Sequence, residues 1–122
     1  MRILLADDQP RVRFGLRLLL DREPDLDVIG EATEAETLLA QLETIQPDVV
    51  LLDWELPGLA VMGGLPALRT VCPQLVVIAL SGRLEANWAA LSAGADAFVS
   101  KSKPPSQLIA TLRAISEEVK NE

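Results

Sequence analysis

Val49-Val50-Leu51-Leu52-Asp53, residues 49–53, is a run of four branched aliphatic residues that stops on an acid. Aliphatic residues without polar alternation are expected of a strand covered on both faces, as in a parallel sheet. Similar short runs recur on either side: Ile3–Ala6, Val28-Ile29 with the small residues after it, Leu75–Leu80 and Ala97–Val99. Between the runs, apolar residues fall at spacings of three and four. Val12, Leu16 and Leu19 share one helical face, and so do Ala35, Leu38, Leu39 and Leu42. Trp88 and Leu91 mark a fourth helix, and Leu108, Leu112, Ile115 and Val119 a fifth; a third is read around Leu65 to Cys72. Pro10 suits the first turn of a helix, Pro47 separates a helix from a strand, and Pro104-Pro105 opens the last helix. Five strands alternating with five helices predict one open α/β sheet with right-handed crossovers. Ligands of such sheets bind beyond the carboxyl ends of the strands.

Composition narrows the chemistry. The chain has 122 residues, 49% apolar and 24% charged, as expected of one compact domain spanning residues 1–122. It contains no histidine, which excludes Ser-His-Asp and Cys-His catalysis and histidine-ligated metals. The single cysteine, Cys72, forms neither an intrachain disulfide nor a sulfur-rich zinc site, which suggests a reducing compartment. A net charge of −7 argues against direct nucleic-acid binding by this chain through phosphate contacts. After Met1-Arg2 only four apolar residues, Ile3 to Ala6, precede Asp7-Asp8, too few for a signal-peptide core, and the longest uncharged stretch, Leu56 to Leu68, is broken by prolines and glycines. A cytoplasmic protein without a membrane span is expected.

The strand ends carry the unusual residues. The first run meets Asp7-Asp8, the third Asp53, the fourth Ser81, and the fifth, after Ser100, Lys101. Singly, each has an ordinary explanation: an Asp after a strand is most often a turn residue, and a lone lysine is usually solvated. Together they are more specific. If the first and third strands are neighbours, the carboxylates of Asp7, Asp8 and Asp53 converge, and their repulsion calls for a cation. Mg²⁺ fits a site of few carboxylates completed by water. Asp53 is then placed to attack a phosphoryl group as nucleophile, with Lys101 and the Ser81 hydroxyl within reach of the phosphoryl oxygens.

Leu4-Leu5-Ala6-Asp7-Asp8, Val50-Leu51-Leu52-Asp53 with Pro57 four residues on, Ile78-Ala79-Leu80-Ser81, and Gly94-Ala95-Asp96-Ala97-Phe98-Val99-Ser100-Lys101 resemble the receiver domains of two-component response regulators, over essentially the whole chain. The resemblance implies a flavodoxin-like (βα)5 fold with a parallel sheet of order 2-1-3-4-5 and helices on both faces. It implies that Asp53 is the phosphoacceptor, that Asp7, Asp8, Asp53 and the Glu55 backbone carbonyl hold Mg²⁺, and that Ser81 and Lys101 contact the phosphoryl group. Ser81 and Phe98 would form the switch, the aromatic residue following the hydroxyl inward and altering the surface of helix four, strand five and helix five. The implied donor is a sensor histidine kinase or phosphotransfer protein, and the protein would dephosphorylate itself slowly rather than act as a turnover enzyme. Glu23-Pro24-Asp25-Leu26-Asp27-Val28-Ile29-Gly30-Glu31-Ala32 is similar to receivers joined to helix-turn-helix domains, which implies transcription regulation. No output domain lies within the chain, whose last residues, Glu118-Val119-Lys120-Asn121-Glu122, fall where a linker would begin. Apolar faces on helices one, four and five allow a homodimer on phosphorylation.

Three features depart from the usual pattern. The segment 58–64 after Pro57 is longer than the norm, so Leu59, Val61 and Met62 are expected to form an apolar rim or to fold onto the third helix. Glu55 and Arg83, each two residues beyond a site residue, stand at positions that the resemblance places over the pocket, either to bridge its entrance and slow water attack or as two solvated side chains. Ser102 stands where many receivers have a proline preceded by a cis peptide. Two other readings remain open: an aspartate-nucleophile phosphohydrolase with Glu55 as its second acid, and a receiver that acts unphosphorylated as an interaction module.

Overall fold

The structure, a computed structural model, describes residues 1–120, with side chains through residue 118. Strands β1 (Arg2–Ala6), β2 (Asp27–Ala32), β3 (Val49–Asp53), β4 (Val76–Ser81) and β5 (Ala97–Ser100) form one sheet in the order β2-β1-β3-β4-β5. All neighbouring pairs are parallel. Helices α1 (Pro10–Asp21), α2 (Ala35–Ile45), α3 (Gly64–Val71), α4 (Ala86–Ser92) and α5 (Pro105–Lys120) connect and follow them. This is the flavodoxin-like receiver arrangement, and each expected strand and helix is present. The Val119 side chain and the linker position at 121–122 lie outside the described residues. Among the described residues no helix is long and apolar enough to cross a membrane.

The uninterrupted aliphatic runs are explained by two separate cores, one on each side of the sheet. Side chains alternate along a strand, so Leu4, Ala6, Val50, Leu52, Val77 and Ala79 meet Leu38 and Leu42 of α2, Leu65 and Leu68 of α3 and Ala90 of α4. Their chain neighbours Ile3, Leu5, Val49, Leu51, Ile78 and Leu80 meet Leu20 of α1 and Leu108 and Leu112 of α5. Every residue of β3 is buried, as a central strand flanked on both faces requires.

The helix faces are less regular than their spacing suggests. Helix α4 forms where Trp88 and Leu91 predict it, but these two residues point away from the core, 79% and 46% exposed. The helix instead rests on Ala86 and Ala90, one turn apart on the opposite face, whose small side chains let it approach the sheet closely. In α1, Leu20 is fully buried, whereas Val12, Leu16 and Leu19 are half-buried along the groove shared with α5. The opposite side of α1 leaves Phe14 and Leu18 exposed.

The long segment before α3 is folded into turns. Leu59 accepts the Gly64 N–H at 2.9 Å, and the Met62 N–H donates to the Gly58 carbonyl at 2.9 Å. Gly58, Gly63 and Gly64 all have positive φ, which winds the segment tightly. Leu59 folds into the core, while Val61 and Met62 stay on the rim, 92% and 40% exposed. The two expectations for this segment are thus both met, by different residues.

Burial, rather than apolar character, sets the cost of substitution. Leu51→Ala, in the centre of β3, is expected to lower unfolding free energy by about 2–5 kcal/mol. Trp88→Ala, on the exposed face of α4, is expected to change it by no more than about 0.5 kcal/mol. Urea unfolding of both variants measures the contrast.

Candidate functional site

Adjacent parallel strands bring residues at their carboxyl ends side by side. Ala6 of β1 pairs with Leu52 of β3, so Asp7 and Asp53, each the next residue, end next to one another. Asp7 is anchored by its N–H, which donates to the Ala32 carbonyl of β2 at 3.0 Å. Arg13 of α1 donates to the Asp7 carbonyl at 2.8 Å and pairs with Glu31, so the start of the first loop is tied down from two elements. Carboxylate oxygens of Asp7, Asp8 and Asp53 lie within 4.8 Å of one another. Asp7 and Asp53 are buried and Asp8 is exposed.

Each buried aspartate also closes a turn. Asp7 Oδ1 accepts the Gln9 N–H at 2.9 Å, and Asp53 Oδ1 accepts the Glu55 N–H at 3.0 Å. The ordinary role of a strand-end aspartate therefore coexists with the site, because one oxygen serves the turn and fixes the direction of the other. Lys101, just beyond β5, reaches across the strand ends. Its Nζ lies 2.7 Å from Asp7 Oδ2 and 3.5 Å from Asp53 Oδ1, and it donates to Gln9 Oε1 at 3.3 Å. Its backbone N–H donates to the Ser81 carbonyl at 2.9 Å, which fixes its starting point at the edge of β4.

The charges do not balance. One ammonium faces three carboxylates. The Asp7 Oδ2 is buried without an aligned hydrogen bond, although the Lys101 ammonium is in ion-pair contact with it. Burial pushes the Asp53 carboxyl above its usual range, and the Asp7 charge adds to this; the Glu55 N–H and the Lys101 ammonium oppose it. An all-oxygen donor set with excess negative charge and a buried under-satisfied oxygen suits a hard divalent cation. A cavity of about 330 Å³ opens over the cluster, lined among others by Asp8, Gln9, Asp53, Glu55, Arg83 and Lys101.

Ser81 sits differently. It is fully buried and is not among the residues lining that cavity. Its hydroxyl donates to Glu55 Oε1 at 2.8 Å and accepts the Arg83 N–H at 3.0 Å. Arg83 Nη2 lies 3.8 Å from Glu55 Oε2, so the two residues do meet at the entrance, both well exposed. Phe98, opposite Ala79 on β5, is half-buried against the α2–α3–α4 core. The peptide between Lys101 and Ser102 is trans, and the turn there is closed by the Ser100 hydroxyl, which accepts the Ser102 N–H at 3.2 Å. Spacing alone pairs Glu55 with Arg83; the bond from Ser81 to Glu55 and the contact of Gln9 with Lys101 emerge only in three dimensions.

A doubly wound parallel sheet with an acidic cluster, a lysine and a hydroxyl at its carboxyl edge defines a receiver-like signalling domain. Residues 3–113 match the response regulator receiver domain family, and the chain belongs to it. The nitrate/nitrite response regulator protein NarL of Escherichia coli (strain K12) is 36% identical over 112 residues, covering 90% of this chain and 52% of that protein. The transcriptional regulatory protein LiaR of Bacillus subtilis (strain 168) is 30% identical over 122 residues, covering 96% of this chain and 56% of that protein. The chain spans about half the length of these curated relatives. Among solved structures, a LuxR-family two-component response regulator from Aurantimonas sp. SI85-9A1 superposes with a TM-score of 0.81 at 34% identity, covering 93% of this chain and 83% of that one. The isolated receiver domain of RcsB from Salmonella enterica serovar Typhimurium, solved with the phosphomimetic BeF3-, gives a TM-score of 0.85 at 26% identity, covering 96% of this chain and 88% of that one.

The raised Asp53 carboxyl has a measurable consequence. A group whose folded pKa exceeds its ordinary value of 3.8 costs stability once ionised, so the penalty grows as pH rises through that range and persists at neutrality. In chelator-treated buffer, Asp53→Asn is expected to have a higher urea midpoint than the parent at pH 7. The difference should shrink as the pH falls towards 3.8.

Proposed function

We propose that residues 1–122 act as the phosphoacceptor receiver of a cytoplasmic two-component pathway, taking a phosphoryl group on Asp53 from a sensor histidine kinase or a phosphotransfer protein. The observation that carries this reading is the meeting of Asp7, Asp8 and Asp53 around one point with the Lys101 ammonium against two of them. Asp7, Asp8, Asp53 and the Glu55 backbone carbonyl are the groups that would hold Mg²⁺. When bound, the ion offsets negative charge on the phosphoryl oxygens.

This chain's residues do the rest. The Glu55 N–H holds Asp53 Oδ1, which leaves the second carboxylate oxygen to attack phosphorus. A bond forms from that oxygen to phosphorus as the bond from phosphorus to the donor's histidine nitrogen breaks, and the imidazole leaves with a proton taken from solvent. Lys101, already between Asp7 and Asp53, pairs with a phosphoryl oxygen. The Ser81 hydroxyl hydrogen-bonds another, and Phe98 follows it inward, which changes the surface of α4, β5 and α5 by a shift between two packings. The relatives named as transcriptional regulators support an output in transcription, through a domain or partner beyond this chain, with a homodimer as one means of transmitting the change. Glu55 and Arg83 stand over the entrance and slow attack by water on the phosphoaspartate.

Incubation with a small-molecule phosphodonor and Mg²⁺ is expected to label the protein at one group per chain, and Asp53→Asn to abolish the label. Continuous turnover of donor without a stable phosphoprotein would instead favour a phosphohydrolase. Arg83→Ala is expected to shorten the phosphoaspartate half-life by at most about fivefold, since an exposed ion pair contributes only about 0–1 kcal/mol. Phosphate release from the labelled protein measures it.

A further inference from the structure

Ser81 is fully buried at the end of β4 and is not among the residues lining the acidic cavity, and the structure shows what holds it. Its hydroxyl has a single proton, and that proton is committed to Glu55 Oε1 at 2.8 Å. The oxygen lone pairs receive the Arg83 N–H at 3.0 Å. Ser81 is fully buried, so no solvent molecule competes for the proton from the outside. A hydrogen bond to an ionised acceptor is stronger than one to a neutral group. Arg83 Nη2, 3.8 Å from Glu55 Oε2, steadies the carboxylate over the hydroxyl.

We propose that the Glu55 carboxylate is the resting acceptor of the Ser81 hydroxyl and acts as a latch: the switch operates by exchanging this hydrogen bond for one to the phosphoryl group, and Glu55 sets the threshold of that exchange. The inference rests on the receiver reading above. A hydroxyl with one proton cannot serve both acceptors, so every gain from bonding the phosphoryl oxygen is reduced by the loss of the bond to Glu55. Glu55 is thus a positioning residue, acting through Ser81. Once released, its carboxylate keeps Arg83 as a charge partner, which limits repulsion between the freed acid and the incoming anion.

The test is a double-mutant cycle on the whole chain, with Mg²⁺ and beryllofluoride as the phosphoryl probe. Binding is followed by the fluorescence of Trp54, which adjoins Asp53 and Glu55, in a Trp88→Phe background that removes the second indole. Glu55→Ala is expected to tighten beryllofluoride binding through two effects, loss of a repelling charge and loss of the latch. Only the second requires Ser81. The gain on Glu55→Ala should therefore be about three- to tenfold larger with Ser81 than in a Ser81→Ala background. Glu55→Gln, which removes the charge but keeps an acceptor, should give an intermediate gain. A second reading needs neither metal nor anion: the Arg83 amide resonance should move on Glu55→Ala, because its acceptor oxygen is freed to turn, and move less on Glu55→Gln.

Equal gains in both Ser81 backgrounds, with an unmoved Arg83 amide, would overturn the latch and leave the receiver reading standing. Absence of any Mg²⁺-dependent beryllofluoride binding by the parent chain would overturn the receiver reading itself, and the latch with it.

Discussion

Three carboxylates gathered at the end of two adjacent strands, with one ammonium against them, are the constraint around which the rest of the molecule is arranged. Like charges at such spacing are unfavourable, and burial of Asp7 and Asp53 makes them more so. The protein offsets part of this with the Gln9 and Glu55 N–H groups and with Lys101, and leaves the remainder uncompensated. On the proposed reading, that remainder is what would favour a hard divalent cation.

Such a cluster needs a rigid support. The sheet provides it, because β1, β3 and β4 are buried on both faces and are held in fixed register by their ladders. Two cores of opposite parity press on the sheet from either side, so a strand cannot slide without moving side chains into the wrong core. Lys101 makes a long reach, its flexible stem spanning from the end of β5 to Asp7. Rigidity therefore resides in the acids and adaptability in the base.

The proposed switch residues lie just beyond this frame. Ser81 belongs to β4 by its backbone, yet its hydroxyl is bound to Glu55, on the loop after β3. A single hydrogen bond thus joins a rigid strand to a loop that borders the acidic cavity. Phe98 on β5 is half-buried against the core shared by α2, α3 and α4. The exposed residues Trp88, Leu91, Phe14 and Leu18 lie on helices whose inner faces already serve the cores, which makes them available as surface without weakening the fold.

The sheet, the alternation of helices and strands, and the identity of the strand-end residues were legible in the sequence. Uninterrupted runs such as Val49–Leu52 have one economical explanation, and four of the five lead into a residue that packing does not account for. The helix interfaces were not legible to the same degree. Trp88 and Leu91 share a spacing with core residues, but an apolar pattern identifies a helix without saying which face the sheet accepts, and here two alanines won by allowing closer approach. The loop 58–64 divided its apolar residues between core and solvent according to turn geometry fixed by glycines with positive φ. The partner of Ser81 was also settled only in space. Glu55 and Arg83 stand at matching distances from site residues in the chain, whereas the hydroxyl bond depends on how the β3 loop folds over the end of β4. Local chemistry is encoded residue by residue; which groups share a hydrogen bond is decided by the distances that packing allows.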